Sequence, residues 1–216
     1  MLKIESLDVS IKSVRILRGV GLQLDRGQLI GLIGRNGAGK TTLMRAIMGI
    51  LTPTAGTITF DGASLQGVPS FQRARNGMGY MPEDRRIIPQ LSIEENVSLP
   101  AWAAGQAHPD ERLRRIYEMI PEVGQLKERK GLQLSGGQQK LAALARALMS
   151  GTKLLLLDEP FEGVAPVLAR RLAEVVAMLR SEGLSVILSE SDLSHSRKLI
   201  DVVYNIDRGQ VTRAAA

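Results

Sequence analysis

The chain has 216 residues, 44% of them hydrophobic and 23% charged, which fits one globular domain and excludes a disordered or fibrous polymer. It has no cysteine, which excludes a disulfide framework and a thiolate metal site. The net charge is +6, but the cations form no long block, and three Phe, three Tyr and one Trp give few bases a stacking platform, so no nucleic-acid partner is expected. No run approaches the ~18 apolar residues of a membrane span, and the first residues lack a signal-peptide core. The expectation is a soluble chain whose membrane role, if any, comes through a partner.

In chain order, Leu2-Lys3-Ile4, Leu7-Asp8-Val9 and Val20–Leu24 read as strands. The apolar run Leu29–Ile33 reads as a buried parallel strand. It leads into Gly34-Arg35-Asn36-Gly37-Ala38-Gly39-Lys40-Thr41, followed by the helical spacing of Leu43–Met48. This is a complete G-x-x-x-x-G-K-[ST] phosphate loop in the strand–loop–helix setting the motif requires. The glycines let backbone N–H groups close on phosphate oxygens, and the helix start adds its positive dipole end. Lys40 is expected to reach the β/γ-phosphates, and the Thr41 hydroxyl to ligate Mg²⁺.

Thr57–Phe60 and Met78–Met81 read as further strands, with a short helix at Phe71–Arg75 between them. Residues 92–130 read as a helical insertion. Ser92 and Glu95 make a capping box, and Pro109 opens an amphipathic helix that Pro121 ends. Within it, Arg112, Arg114 and Arg115 read as a solvated helix face. Helices are then expected at Gln138–Met149, Val167–Leu179 and Leu193–Ile200. Strands are expected at Leu154–Leu157, Leu184–Leu188 and Val202–Ile206. Alternating strands and helices predict an α/β fold with a mostly parallel sheet flanked by helices. The strand Leu154–Leu157 ends in Asp158 and Glu159. There Asp158 can meet Mg²⁺ through water, and Glu159 can polarise an attacking water as general base.

Leu134-Ser135-Gly136-Gly137-Gln138 and the helix after it resemble the signature segment of ABC-type ATPases, and the resemblance extends over nearly the whole chain. It implies ATP and Mg²⁺ as ligands, a single cassette over residues 1–216, an N-terminal antiparallel β subdomain and a helical subdomain at about 84–135. Ser135, Gly136, Gly137 and Gln138 offer a hydroxyl and N–H groups at a helix start, a second anion site. In the family that site faces the nucleotide held by another subunit's phosphate loop. The resemblance therefore implies a second ABC ATPase subunit, identical or paralogous, joined to transmembrane permease subunits on the cytoplasmic face of a cell membrane. Gly34–Thr42, Met81–Arg86, Leu91–Asn96, Asp158-Glu159-Pro160 and Gly163–Pro166 look like the importers of branched-chain amino acids, which also implies a solute-binding protein. In that branch Glu83 stands where Gln is commoner and would touch Mg²⁺ or its water.

Other positions depart from the family pattern. Ile11 occupies the place of an aromatic residue that stacks on adenine. Phe161 and Ala165 replace the usual Ser and Asp after Glu159. Ser191 stands where a histidine should meet the γ-phosphate, and His195 reads as a surface residue on a helix. Ser191 can donate a hydrogen bond but cannot carry imidazolium charge. One expectation is therefore an altered phosphate-loop half-site beside an intact signature half-site. The alternatives are a weakly hydrolysing structural subunit and a non-transport ABC ATPase.

Overall fold

The computed structural model describes residues 1–105 and 109–214. Ala215 and Ala216, read from sequence as part of a frayed end, lie outside the described residues. The N-terminal strands are β1 (Leu2–Ile11) and β2 (Val14–Leu24), followed by β3 (Leu29–Ile33), α1 (Lys40–Ile47), β4 (Ala55–Phe60) and β5 (Ala63–Ser64). Then come α2 (Ser70–Arg75), β6 (Met78–Met81), α3 (Ile93–Ala104), α4 (Pro109–Met119) and α5 (Pro121–Gln125). The chain continues through α6 (Gly136–Ser150), β7 (Leu154–Asp158), α7 (Pro166–Ser181), β8 (Ser185–Glu190), β9 (Val202–Asp207) and β10 (Gln210–Arg213).

One sheet runs β2-β1-β4-β5 and is antiparallel throughout. The other runs β10-β9-β3-β8-β7-β6 and is parallel except for the β9–β10 hairpin. The expected α/β class with an N-terminal antiparallel layer is therefore present. Strand β7 shows how the layers join. Leu154 and Leu156 face a core shared with α1 and the antiparallel sheet, while Leu155 and Leu157 face a second core with α6 and α7. Period-2 alternation on a strand buried on both faces needs apolar residues at every position, which is why the run is pure leucine.

Several expectations change. Pro121 does not merely end α4; it stands at the first position of α5, where its missing N–H costs nothing. No helix forms at Leu193–Ile200, where the chain makes turns. Asp192 accepts from Ser194 N–H at 2.7 Å, a local bond that competes with helix formation. Ser196 is fully buried and donates to Glu190, closing the segment on itself. The β9–β10 hairpin was not anticipated. Its turn supports the phosphate loop: Gly209 N–H donates to Ala38 O at 2.9 Å, and Gly209 O accepts from Arg18 N–H at 2.8 Å. A Cβ at Gly209 would fall 1.7 Å from Ile16 O, so only glycine permits this approach.

Arg112 also departs from the solvated-face reading. Its Nε and Nη2 donate to Leu148 O at 3.0 and 2.7 Å, and Nη2 to Gly151 O at 3.1 Å. It therefore satisfies carbonyls at the C-terminal end of α6, where a cation also meets the negative end of the helix dipole. Arg114 remains exposed. Arg112→Ala should lower unfolding free energy by about 1–3 kcal/mol in urea, and Arg114→Ala should stay within about 0.5 kcal/mol.

Candidate functional site

The phosphate loop leaves β3 at Gly34 and enters α1 at Lys40. Gly39 is the N-cap at φ 114°, a left-handed geometry that a side chain would strain. It turns the loop so that the first free N–H groups of α1 face the cavity above it. Ile16, Asn36, Lys40, Thr41, Glu83 and Glu159 line this cavity of about 390 Å³, and Gly37, Gly39 and Thr42 also reach it. Elements far apart in sequence thus converge on the phosphate loop. Of the remaining loop residues, Gly34 and Arg35 supply carbonyls to Lys40, and Ala38 is buried against the β9–β10 turn.

Lys40 and Glu159 form the centre of the site. Lys40 Nζ lies 2.9 Å from Glu159 Oε1, and both side chains are nearly inaccessible, at 5% and 7% exposure. Lys40 also donates to Gly34 O, and to Arg35 O at 3.1 Å. Glu159 sits at φ 47°, an uncommon geometry for a side-chain-bearing residue. Two contacts hold it there. Its N–H donates to Ser189 Oγ at 3.1 Å, and its carbonyl accepts from Lys140 Nζ at 2.8 Å. The Ser191 hydroxyl lies 3.2 Å from Glu159 Oε1 and 3.0 Å from Asn36 Oδ1, placed to donate to either. Ser191 therefore joins the phosphate loop to the carboxylate.

Asp158 is fully buried at the end of β7. Ser189 donates to its Oδ1 at 2.8 Å and Tyr80 to its Oδ2 at 3.1 Å. Burial, and then the Asp158 charge, push the Tyr80 phenol above its usual range, so Tyr80 stays a donor. Glu83 lies just past β6. Burial raises its pKa, and the negative charges of Glu162, Asp158 and Glu159 raise it further. A cation arriving between these carboxylates would reverse that shift.

The donor set suits Mg²⁺ delivered with a triphosphate. Thr41 and Glu83 offer hard oxygens at one cavity, and Asp158, with both oxygens already hydrogen-bonded, suits a water-mediated contact. Among the described residues no group of three or more His, Cys, Asp or Glu could hold a metal alone.

The signature residues lie elsewhere. Ser135 caps α6 in a capping box: its Oγ accepts from Gln138 N–H at 3.3 Å, and Gln138 Oε1 accepts from Ser135 N–H at 3.0 Å. This leaves the Ser135 O–H free to donate. Gly136 leaves room for the tip of Arg85, whose Nη1 would lie 2.9 Å from a Cβ there and would have to give way. Arg85 donates to Gly136 O at 3.2 Å and Gln139 Oε1 at 3.3 Å. No residue from Ser135 to Gln138 lines the phosphate-loop cavity.

The matching family model is that of the ABC transporter, over residues 17–162, a span from β2 through the loop after Glu159. The chain belongs to the ABC transporter family. It is 33% identical to the high-affinity branched-chain amino acid transport ATP-binding protein BraG of Pseudomonas aeruginosa, over 98% of this chain and 91% of that one. It is 30% identical to the lipopolysaccharide export system ATP-binding protein LptB of Haemophilus influenzae, over 98% of this chain and 88% of that one. A nucleotide-free ATP-binding cassette from an ABC transporter superposes with a TM-score of 0.86 at 25% identity, covering 100% of this chain and 91% of that one.

Ile11, at the end of β1, is 41% exposed and lies outside the phosphate-loop cavity, which Ile16 on β2 lines. One placement in this cassette differs from the sequence reading. His195 is exposed on a turn and not on a helix, and its ring packs on Phe161 with centroids 5.5 Å apart. Sequence reasoning missed Lys140, Tyr80 and Ser189, the residues that fix Asp158 and Glu159. The one available signal was Lys140, a cation on the buried face of a helix.

Glu190 is buried beside this site, and burial pushes its pKa up to about 7; the bond from Ser196 opposes the rise, and the Asp192 and Glu159 charges add to it. Its folded value lies above the ordinary 4.5. Its stabilising contribution is therefore full below about 4.5 and is lost as the pH rises through about 7. Urea unfolding of wild type and Glu190→Gln between pH 5 and pH 8 should show a wild-type decline that the variant lacks.

Proposed function

We propose that this chain is the ATP-hydrolysing subunit of a membrane importer for a branched-chain amino acid or a related small solute. The observation that carries the hydrolytic part is the single cavity holding Lys40, Thr41, Asn36, Glu83 and Glu159. ATP binds with its phosphates on the loop and on the N–H groups of α1. Lys40 exchanges Glu159 and backbone carbonyls for β/γ-phosphate oxygens. Glu159, freed from Lys40, accepts a proton from the attacking water. Thr41, Glu83 and, through water, Asp158 would hold Mg²⁺, which would supply charge neutralisation at the phosphates. The closing dipole and hydroxyl come from Ser135–Gln138 of a second cassette, because this chain keeps its own signature outside its cavity.

The membrane subunits are proposed to dock where α2 meets α3. Arg75 ties these helices by donating to Ala103 O at 3.1 Å and covers the Phe71 ring at 5.6 Å. Phe71 and Trp102 are largely exposed there. Among the described residues no helix is long and apolar enough to cross a membrane, so attachment to the cytoplasmic face falls to such subunits. Likeness to BraG over nearly the whole chain supports the solute class. Likeness to LptB favours a second reading, the motor of a lipid exporter, and solute uptake by the intact complex separates the two. Ser191 favours a further reading, in which the chain's own site turns over slowly within an unequal pair.

A tagged chain extracted from membranes in detergent should co-purify with multi-span membrane proteins and hydrolyse ATP. Glu159→Gln should lower that rate by about 100-fold or more. Recovery with nucleic acid or without membrane subunits would contradict the transporter reading. A Glu159→Gln complex that keeps most of its rate would favour the slow own-site reading.

A further inference from the structure

A cavity of about 280 Å³ lies between the loop after α1, the first half of β4 and the loop that joins β5 to α2. None of its lining residues belongs to the phosphate loop or to the signature segment. Of those residues, Thr52, Ala55 and Gln66 are exposed, so solutes reach the cavity from outside. Leu51, Ile58, Leu65 and Val68 give it an apolar wall. Among the described residues that line it, none is Asp, Glu, Lys or His, and the one charged group is Arg73.

Arg73 stands on α2 and is only 4% exposed. Its Nη1 donates to Ala46 O at 3.0 Å and to Ile47 O at 2.8 Å, at the C-terminal end of α1. Its Nε donates to Val68 O at 2.9 Å, and its Nη2 to Leu65 O at 2.7 Å. A guanidinium carries about five N–H donors, so one on Nη2 is left over. Gly49, which also lines the cavity, covers the group with no side chain; a Cβ there would come 2.7 Å from Nε. Carbonyls and the negative end of the α1 dipole offset part of the charge. Burial lowers the pKa of the group, and no neighbouring charge opposes that shift. Capping α1 explains the bonds to Ala46 and Ile47. It does not explain a cation without a carboxylate partner set in the wall of a cavity.

We propose that this cavity binds a short-chain monocarboxylate whose remaining body is apolar and uncharged. The carboxylate takes the free Nη2 N–H and completes a buried ion pair with Arg73. The hydroxyls of Thr52, Thr54 and Thr57, which line the same space, offer its oxygens further donors. The hydrocarbon part displaces water from Leu51, Ile58, Leu65 and Val68. Size sets one limit. Pockets for drug-sized ligands run from ~300 to ~1,000 Å³, so this one takes a molecule of amino-acid size. Charge sets the other. An ammonium group would find no carboxylate in the wall, which disfavours a free amino acid against its deaminated counterpart. A dianion such as phosphate exceeds what one guanidinium neutralises and gains nothing from the apolar wall. The site is separate from the ATP-hydrolysis reading, and its test uses no turnover.

The test titrates the purified full chain with α-ketoisocaproate, isocaproamide, L-leucine and inorganic phosphate, without nucleotide. Calorimetry reads affinity, and amide shifts in the NMR spectrum of the isotope-labelled chain read location. α-Ketoisocaproate should bind and shift the amides of Gly49, Gly56 and Gly67. The neutral amide, leucine and phosphate should each bind at least about tenfold more weakly. Arg73 also holds the end of α1, so replacing it would confound binding with folding. Ala55→Trp serves instead, because it adds bulk at an exposed position of the wall. It should weaken α-ketoisocaproate at least about tenfold with the melting temperature unchanged. The wild-type amide shifts decide the location even where the variant is less stable. No binding of α-ketoisocaproate, shifts confined to other regions, or wild-type affinity in Ala55→Trp would overturn the site. Comparable or tighter binding of isocaproamide, leucine or phosphate would overturn the ligand class.

Discussion

The buried contact between Lys40 and Glu159 is the interaction on which the site depends. Each charge alone would be costly to hold at this depth, because desolvation of an unpaired ion exceeds what nearby dipoles return. Together they are tolerable, and their remaining hydrogen-bonding capacity is filled. Lys40 uses the carbonyls of Gly34 and Arg35, and Glu159 uses Ser191. Among the described residues no buried side-chain nitrogen or oxygen lacks a partner. The pair also explains the placement of the surrounding elements. It requires the end of β7 to approach the start of α1, which the parallel sheet achieves by setting β8 between β3 and β7. In the proposed reaction a triphosphate would enter this arrangement as a competitor, offering Lys40 a doubly charged partner and releasing Glu159 to act on water.

The second constraint is distance between loops. The phosphate loop and the signature helix α6 both present anion-binding ends, yet they open on different parts of the surface. They are nevertheless mechanically joined within the chain. Lys140 on α6 holds the carbonyl of Glu159, and also that of Glu162. Arg146 on α6 holds the carbonyls of Arg85 and Arg86, in the segment that begins with Glu83. Both arginines sit at positive φ, 60° and 50°, which this clamp sustains. A nucleotide that moves Glu83 or Glu159 thus acts on α6. In the proposed dimer, occupancy of the phosphate loop would in this way bias the presentation of the signature end of α6.

Much of this was legible in the residues. The pure leucine run could only be a strand buried on both faces, and the phosphate loop carried its own flanking strand and helix. The capping box at Ser92 and Glu95 forms as its spacing implies. What escaped the sequence depends on partners far along the chain. Arg112 reads as one cation among three, and only the end of α6 shows why it differs. Lys140 falls on the buried face of α6, but the carbonyls it meets, those of Glu159 and Glu162, come from the loop after β7. The segment Leu193–Ile200 has helical spacing, but Asp192, Ser194 and Ser196 spend their polar groups on local bonds and on Glu190. Its local chemistry therefore outweighs its periodicity, and His195 is carried to the edge of the site.

The account turns on Glu159 competing with the γ-phosphate for Lys40, and ATP and ADP affinities of wild type and Glu159→Gln test this most directly. Neutralising Glu159 removes the competitor while leaving Lys40 and the loop in place. Calorimetric titration of the purified chain with Mg²⁺-nucleotide should show ATP binding tightened in the variant, and tightened more than ADP binding. Equal effects on the two nucleotides, or weaker ATP binding in the variant, would contradict the account.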